Sequence, residues 1–155
     1  MTATLVLTVD VAAPAEQTFT GATDWARQGE WMLGTKVWPT DQDGEGVGGG
    51  IAAFTGVPAL KLGFLDTMTI TRWEPPHRCH VLHTGRVVKG TGAFDVDSRG
   101  PHASTFIWRE DLELPLGALG RFGWPLVRPL FAAGVQYSLR RFGRWVEAGH
   151  AAARD

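Results

Sequence analysis

The sequence predicts an α+β domain, a curved antiparallel sheet of about seven strands packed on one long C-terminal helix, with two short helices between the first two strands. The first observation behind this is an amphipathic segment from Gly123 to Gly149. Val127, Phe131, Gly134, Val135, Ser138, Phe142, Trp145, Val146 and Gly149 recur there at steps of three and four, with Gln136, Arg140, Arg144 and Glu147 opposite. The second is that most of the remaining chain reads as strands. The third is that those strands are joined by short Gly-, Pro- and Asp-rich turns, which makes an antiparallel meander. One sheet and one helix must share a core, so the helix lies across the concave face of the sheet. Gly134 and Ser138 sit mid-stripe where a solid core would place Leu or Ile. The room they leave is filled by strand side chains or by a ligand.

Thr4 to Val11 alternates apolar and polar residues as a strand. Pro14 suits the first position of a helix reaching about Ala22. Asp24 is a fitting N-cap for a second short helix, Trp25 to Gln28, stopped by Gly29. Lys36–Thr40 and Val47–Thr55 form a hairpin around the turn Asp41–Gly46. Lys61 to Trp73 is a long strand ended by Glu74-Pro75-Pro76, and Arg78–Thr84 returns. Lys89–Asp97 and Ala103–Leu114 flank the turn Ser98–Pro101. Pro115 to Phe122 links to the last helix, where Pro125 fits the first turn and Pro129 is expected to kink or restart it.

A chain of 155 residues makes one domain, placed at 1–150 with a short tail over 151–155. Fifteen basic against sixteen acidic side chains give a net charge of -1, so no overall field favours nucleic acid or anionic lipid. The single cysteine, Cys79, excludes an internal disulfide and reads as a small buried hydrophobe suited to a reducing compartment. The N-terminal run lacks a basic leader and is broken by Thr8 and Asp10. The expectation is therefore a cytoplasmic protein with no integral membrane association.

Familiar motifs fail on context. Gly44-Glu45-Gly46-Val47-Gly48-Gly49 spells a dinucleotide fingerprint, but it sits in a hairpin with no helix to receive a pyrophosphate. His77, His80 and His83 alternate along a strand and cannot converge on a metal, so none is expected. No nucleophile elbow is present.

The informative residues are polar ones on apolar faces. Glu110 shares a face with Phe106, Trp108, Leu112 and Leu114, while Asp66 shares one with Leu62, Phe64, Met68 and Ile70. His83 shares a face with Cys79 and Val81. A turn centred on Pro75 and Pro76 sets Met68 against His83 and Asp66 against Gly85. A turn centred on Arg99 and Gly100 sets Glu110 against Lys89, and a tight link near Val87 sets Gly85 against Lys89. Asp66, Gly85, Lys89 and Glu110 would then form one row, with His83 a pair away. Three readings stay open: a solvated ion-pair network with Arg86 and Lys89, a polar pole that orients a ligand, or an acid/base pair tuned by desolvation. Trp38, Phe54, Phe64, Phe94, Trp108, Phe131 and Phe142 suit either a plain core or a cavity wall. Trp25 and Trp31 suit the sheet rim.

The order of elements, together with Pro14-Ala15-Glu16, Asp24-Trp25, Glu30-Trp31-Met32, Thr71–Pro76 and Phe106–Glu110, resembles the START-like, or Bet v 1-like, helix-grip superfamily. More narrowly, it is similar to the bacterial polyketide cyclase/dehydrase and lipid-transport family (SRPBCC). The resemblance spans nearly the whole chain. It implies an internal apolar cavity, no obligatory cofactor and a small hydrophobic ligand. The leading expectation is a binder or carrier of a lipid-like, polyketide-like or aromatic metabolite through Phe54, Phe64, Asp66, Met68, His83, Phe94, Trp108, Glu110, Phe131, Gly134 and Ser138. The alternative is a cyclase/dehydrase with Asp66, His83 and Glu110 as candidate catalytic groups. Last comes a protein-interaction module.

Overall fold

Seven strands pair in the order β1-β7-β6-β5-β4-β3-β2, every neighbour antiparallel, and the curved sheet grips a long helix. The computed structural model describes residues 2–114 and 118–154. The strands are β1 (Thr2–Val11), β2 (Thr35–Asp41), β3 (Gly50–Val57), β4 (Leu62–Glu74), β5 (Arg78–His83), β6 (Gly90–Ser98) and β7 (Ser104–Glu113). Helix α1 (Ala15–Thr23) and a 3-10 segment, Trp25–Glu30, separate β1 from β2. Helix α2 runs from Ala118 to Ala152. The expected link over 115–117 lies outside the described residues.

Alternation decides the faces. Leu5 and Val11 of β1, Phe106 and Trp108 of β7, and Val96 of β6 are buried on the inner side. A run of aromatic rings continues that core into α2: Phe94 meets Phe106 at 5.2 Å, Phe106 meets Phe142 at 4.8 Å and Phe142 meets Trp31 at 4.7 Å. The apolar stripe of α2 divides along its length. Ser138, Leu139, Phe142 and Val146 are buried, whereas Val127 is 56% exposed and Phe131 38% exposed. The C-terminal half of the helix thus seals one end of the sheet. The N-terminal half overhangs the other.

Three local expectations change. Helix α2 begins at Ala118 and continues through Pro125 and Pro129, so Pro125 is interior and Pro129 does not restart it. Both lie on the exposed half, where water can serve the carbonyls that lose their ladder partners. Asp24 makes no side-chain cap and instead holds the bend between α1 and the 3-10 segment. The β6–β7 loop covers Arg99–Ala103, with Ser98 opposite Ser104, so Glu110 faces Gly92 rather than Lys89. A five-residue loop re-centres the hairpin and moves the whole register.

Candidate functional site

Between the sheet and the overhanging half of α2 lies a cavity of about 350 Å³. Its walls are almost all carbon. Val37, Ile51 and Ala53 rise from one side, Val81, Phe94 and Trp108 from the floor, and Phe131, Gly134 and Val135 from the helix. Gln28, Thr35, Thr55 and Ser138 are neutral polar exceptions, and the ionisable ones gather at one pole. His83 at the end of β5 places Nδ1 2.7 Å from Asp66 Oδ2 on β4 and Nε2 3.0 Å from Glu110 Oε2 on β7. All three residues are buried. The other oxygen of Glu110 accepts the indole N–H of Trp108 at 2.8 Å.

The register explains how three strands meet. Met68 pairs with His83, so Asp66 lies two residues further along the same face of β4. Glu110 is two strands away from β5, and its partner on the intervening β6 is Gly92. A Cβ at Gly92 would lie 3.2 and 3.3 Å from the Glu110 oxygens. The missing side chain leaves the space through which Glu110 reaches His83. That signal was in the sequence as a glycine inside a strand pattern.

The contacts favour the charged ring. A neutral imidazole donates from one nitrogen only, so one carboxylate would face a lone pair at hydrogen-bond distance. Imidazolium satisfies both. Burial works against the charge, but the hydrogen bonds and charges of Asp66 and Glu110 outweigh it, and the ring is pushed up to about 9. Asp66 Oδ1, also buried, has no hydrogen-bond partner among the described residues.

Phe64, Asp66, Met68, His83, Phe94, Trp108, Glu110, Phe131, Gly134 and Ser138 all line the cavity. The Ser138 hydroxyl is already engaged: it accepts the Leu33 N–H at 3.0 Å and donates to Gly134 O at 3.1 Å. Phe54 is a correction. It alternates with the inward-facing Ala53 and Thr55, so it stands on the outer face beside Trp38 and Lys36. Trp38 is outside with it, and Phe142 is solid core. The row of four also fails: Gly85 does approach Asp66 Oδ1, but Lys89 turns its ammonium to Gly85 O at 3.4 Å.

Sequence reasoning missed the wall made by Trp25, Gln28, Met32 and Leu33. Trp25, expected at the rim, is buried, and its indole donates to Gly44 O at 2.8 Å. Gly44 has φ +70, and a Cβ there would lie 2.5 Å from that nitrogen, so the glycine-rich turn serves the tryptophan rather than a nucleotide. Cys79 lines the floor with its thiol pushed up to about 12, chiefly by burial.

As for metals, the two nitrogens of His83 point to different carboxylates, so no single point lies close to three donors. Among the described residues no group of His, Cys, Asp and Glu is arranged to hold an ion. His77 turns instead to Val96 O and His80 to Asp95.

The fold and this lining converge with sequence comparison. A family model described as polyketide cyclase/dehydrase and lipid transport matches residues 2–147. The chain belongs to that family. No curated protein sequence matches it. Among solved structures, a protein from Thermus thermophilus superposes with a TM-score of 0.75 at 15% identity, over 95% of this chain and 99% of the other. The Zhui aromatase/cyclase from Streptomyces gives 0.70 at 17% identity, over 95% and 94%. The di-domain ARO/CYC StfQ from the steffimycin biosynthetic pathway gives 0.73 at 11% identity, over 96% of this chain and 51% of that one. At these identities the likeness concerns the fold. In this family member, among the described residues, no helix is long and apolar enough to cross a membrane.

Proposed function

We propose that this family member binds one small, mostly apolar molecule that carries a hydroxyl or amine, inserted with that donor toward Asp66. The observation that carries the reading is the buried Asp66–His83–Glu110 cluster at one pole of a cavity whose lining is mostly apolar. The cavity volume falls within the range of about 300–1,000 Å³ typical of small-molecule sites. Two carboxyl groups already at the pole disfavour a ligand carboxylate in the same place.

A matched pair of probes tests this, 1-naphthol against 1-naphthoate at neutral pH, titrated by calorimetry. Tighter binding of the alcohol, with the preference reduced in Asp66→Asn, is expected. Equal affinities, or preference for the acid, would refute it.

A second reading has its own support: an imidazolium and two carboxylates form an acid and a base side by side at the cavity pole. A cyclase/dehydrase needs that pairing, the acid to polarise a carbonyl and the base to take a proton from the adjacent carbon. The family description and the two neighbours named as aromatase/cyclase or ARO/CYC make it the natural competitor. Incubation with a linear poly-β-ketone, followed by mass spectrometry for loss of water, tests it. Turnover abolished in both Glu110→Gln and Asp66→Asn would favour catalysis over carriage.

A further inference from the structure

The mouth of the cavity is marked by residues that line it and are also exposed. Leu33 is 55% exposed, Phe64 37% and Leu130 78%. Around it stand further apolar side chains that nothing covers: Leu60 and Leu62, each 64% exposed at the β3–β4 turn, and Leu126, 78% exposed one helical turn before Leu130. Side chains of this size rarely cluster in water without a counterpart.

The charge on the same end is one-sided. In an antiparallel meander alternate links fall at the same end of the sheet. The links before β2, between β3 and β4 and between β5 and β6 therefore gather where β7 ends, beside the overhanging half of α2. They and their neighbours carry Lys36, Lys61, Arg86, Lys89 and Arg128, all exposed and none paired with a carboxylate among the described residues. Among the described residues, Glu113 and Glu30, the latter paired with Arg27, are the exposed carboxylates on the strand ends and connections there. The opposite end exposes Asp10, Asp41, Asp43, Glu45, Glu74 and Asp97; on its strands Arg72 pairs with Glu74, Arg78 with Asp97 and Arg99 with Asp10, while Arg140 and Arg144 stand exposed on the C-terminal half of α2. The mouth end thus joins exposed leucines to exposed, unpaired cations although the whole chain carries a net charge of only -1.

We propose that the mouth end docks on an anionic phospholipid bilayer. Leu60, Leu62, Leu126 and Leu130 enter the boundary between head groups and acyl chains, and Lys61, Arg86, Lys89 and Arg128 lie against the lipid phosphates. Apolar tips ringed by unpaired cations suit a surface whose anions overlie hydrocarbon, whereas an acidic protein would match the charge and leave the leucines wet. The docked pose sets the cavity mouth against hydrocarbon, so an apolar ligand can pass without crossing water. The proposal goes beyond the ligand-binding reading and does not depend on Asp66.

Co-sedimentation with vesicles tests it, phosphatidylcholine alone against phosphatidylcholine mixed with phosphatidylglycerol. The chain should pellet with the mixed vesicles only and be released at high salt. Lys61→Gln with Arg128→Gln should weaken binding by on the order of twentyfold, about fivefold per cation. Leu60→Ser with Leu126→Ser should weaken it as well, while Arg72→Gln at the opposite end and Asp66→Asn in the cavity should leave it unchanged. Three results would overturn the proposal: no pelleting with either vesicle, pelleting indifferent to the Lys61 and Arg128 substitutions, or retention on immobilised polyglutamate without vesicle binding.

Discussion

Replacing Glu110 with Gln removes one negative charge from the cluster at nearly constant shape. The Oε1 acceptor for Trp108 can persist, and so can the 2.7 Å contact between His83 and Asp66. In the native cluster His83 is pushed up to about 9 from an ordinary 6.5. That difference corresponds to about 3 kcal/mol in favour of the charged ring. One opposite charge at contact distance moves a pKa by about 1–3 units. The variant's ring should therefore titrate about 1–2 units lower than wild type, since burial still opposes the charge and Asp66 still favours it. The assay is a pH titration of the ring carbon and proton shifts by NMR.

The same shift predicts a stability profile. The folded-state pKa is raised, so the stabilisation is complete below about 6.5 and disappears as pH rises through about 9. Urea unfolding across that window should show a loss of about 3 kcal/mol in wild type and a smaller loss in the variant. A wild-type ring titrating near 6.5, or a flat stability profile from 6.5 to 9, would refute the assignment of an imidazolium held by two carboxylates.

Three further substitutions probe the surroundings. Gly92→Ala puts a methyl group 3.1 Å from Val81 Cγ2 and 3.2 Å from Glu110 Oε1. It should lower the His83 titration midpoint and cost about 1–3 kcal/mol in urea unfolding. A Cβ at Gly134 meets nothing within 4 Å, so Gly134→Leu should project into the hollow. Probe affinity should fall at least about tenfold while the thermal midpoint holds or rises, because leucine favours helix by up to about 1 kcal/mol over glycine. Ser138→Ala leaves the Leu33 N–H without its acceptor and should lower stability by about 1–3 kcal/mol by calorimetry, with protease sensitivity rising near Leu33.

The architecture was legible in one dimension because both periods are local. Alternation along Ser104–Glu113 and the three-four spacing of Ser138, Phe142 and Val146 follow from backbone geometry and survive any error in a turn. The same alternation placed Asp66, His83 and Glu110 on inner faces, and Pro75-Pro76 set Met68 correctly against His83. The β6–β7 register was wrong because it rested on the length of one loop. The row with Lys89 went with it, and Gly92 took its place beside Glu110.

What the sequence alone determined was the inward face of β4, β5 and β7 that carries Asp66, His83 and Glu110, since that needs only each residue's neighbours on its own strand, whereas Phe54 and Trp38 were placed by the sheet. What only the tertiary structure decided was distance: that His83 bridges two carboxylates, that the wall includes Trp25 and Leu33, and that the basic links share one end. Those facts depend on residues far apart in the chain being brought together, and no local period encodes that separation.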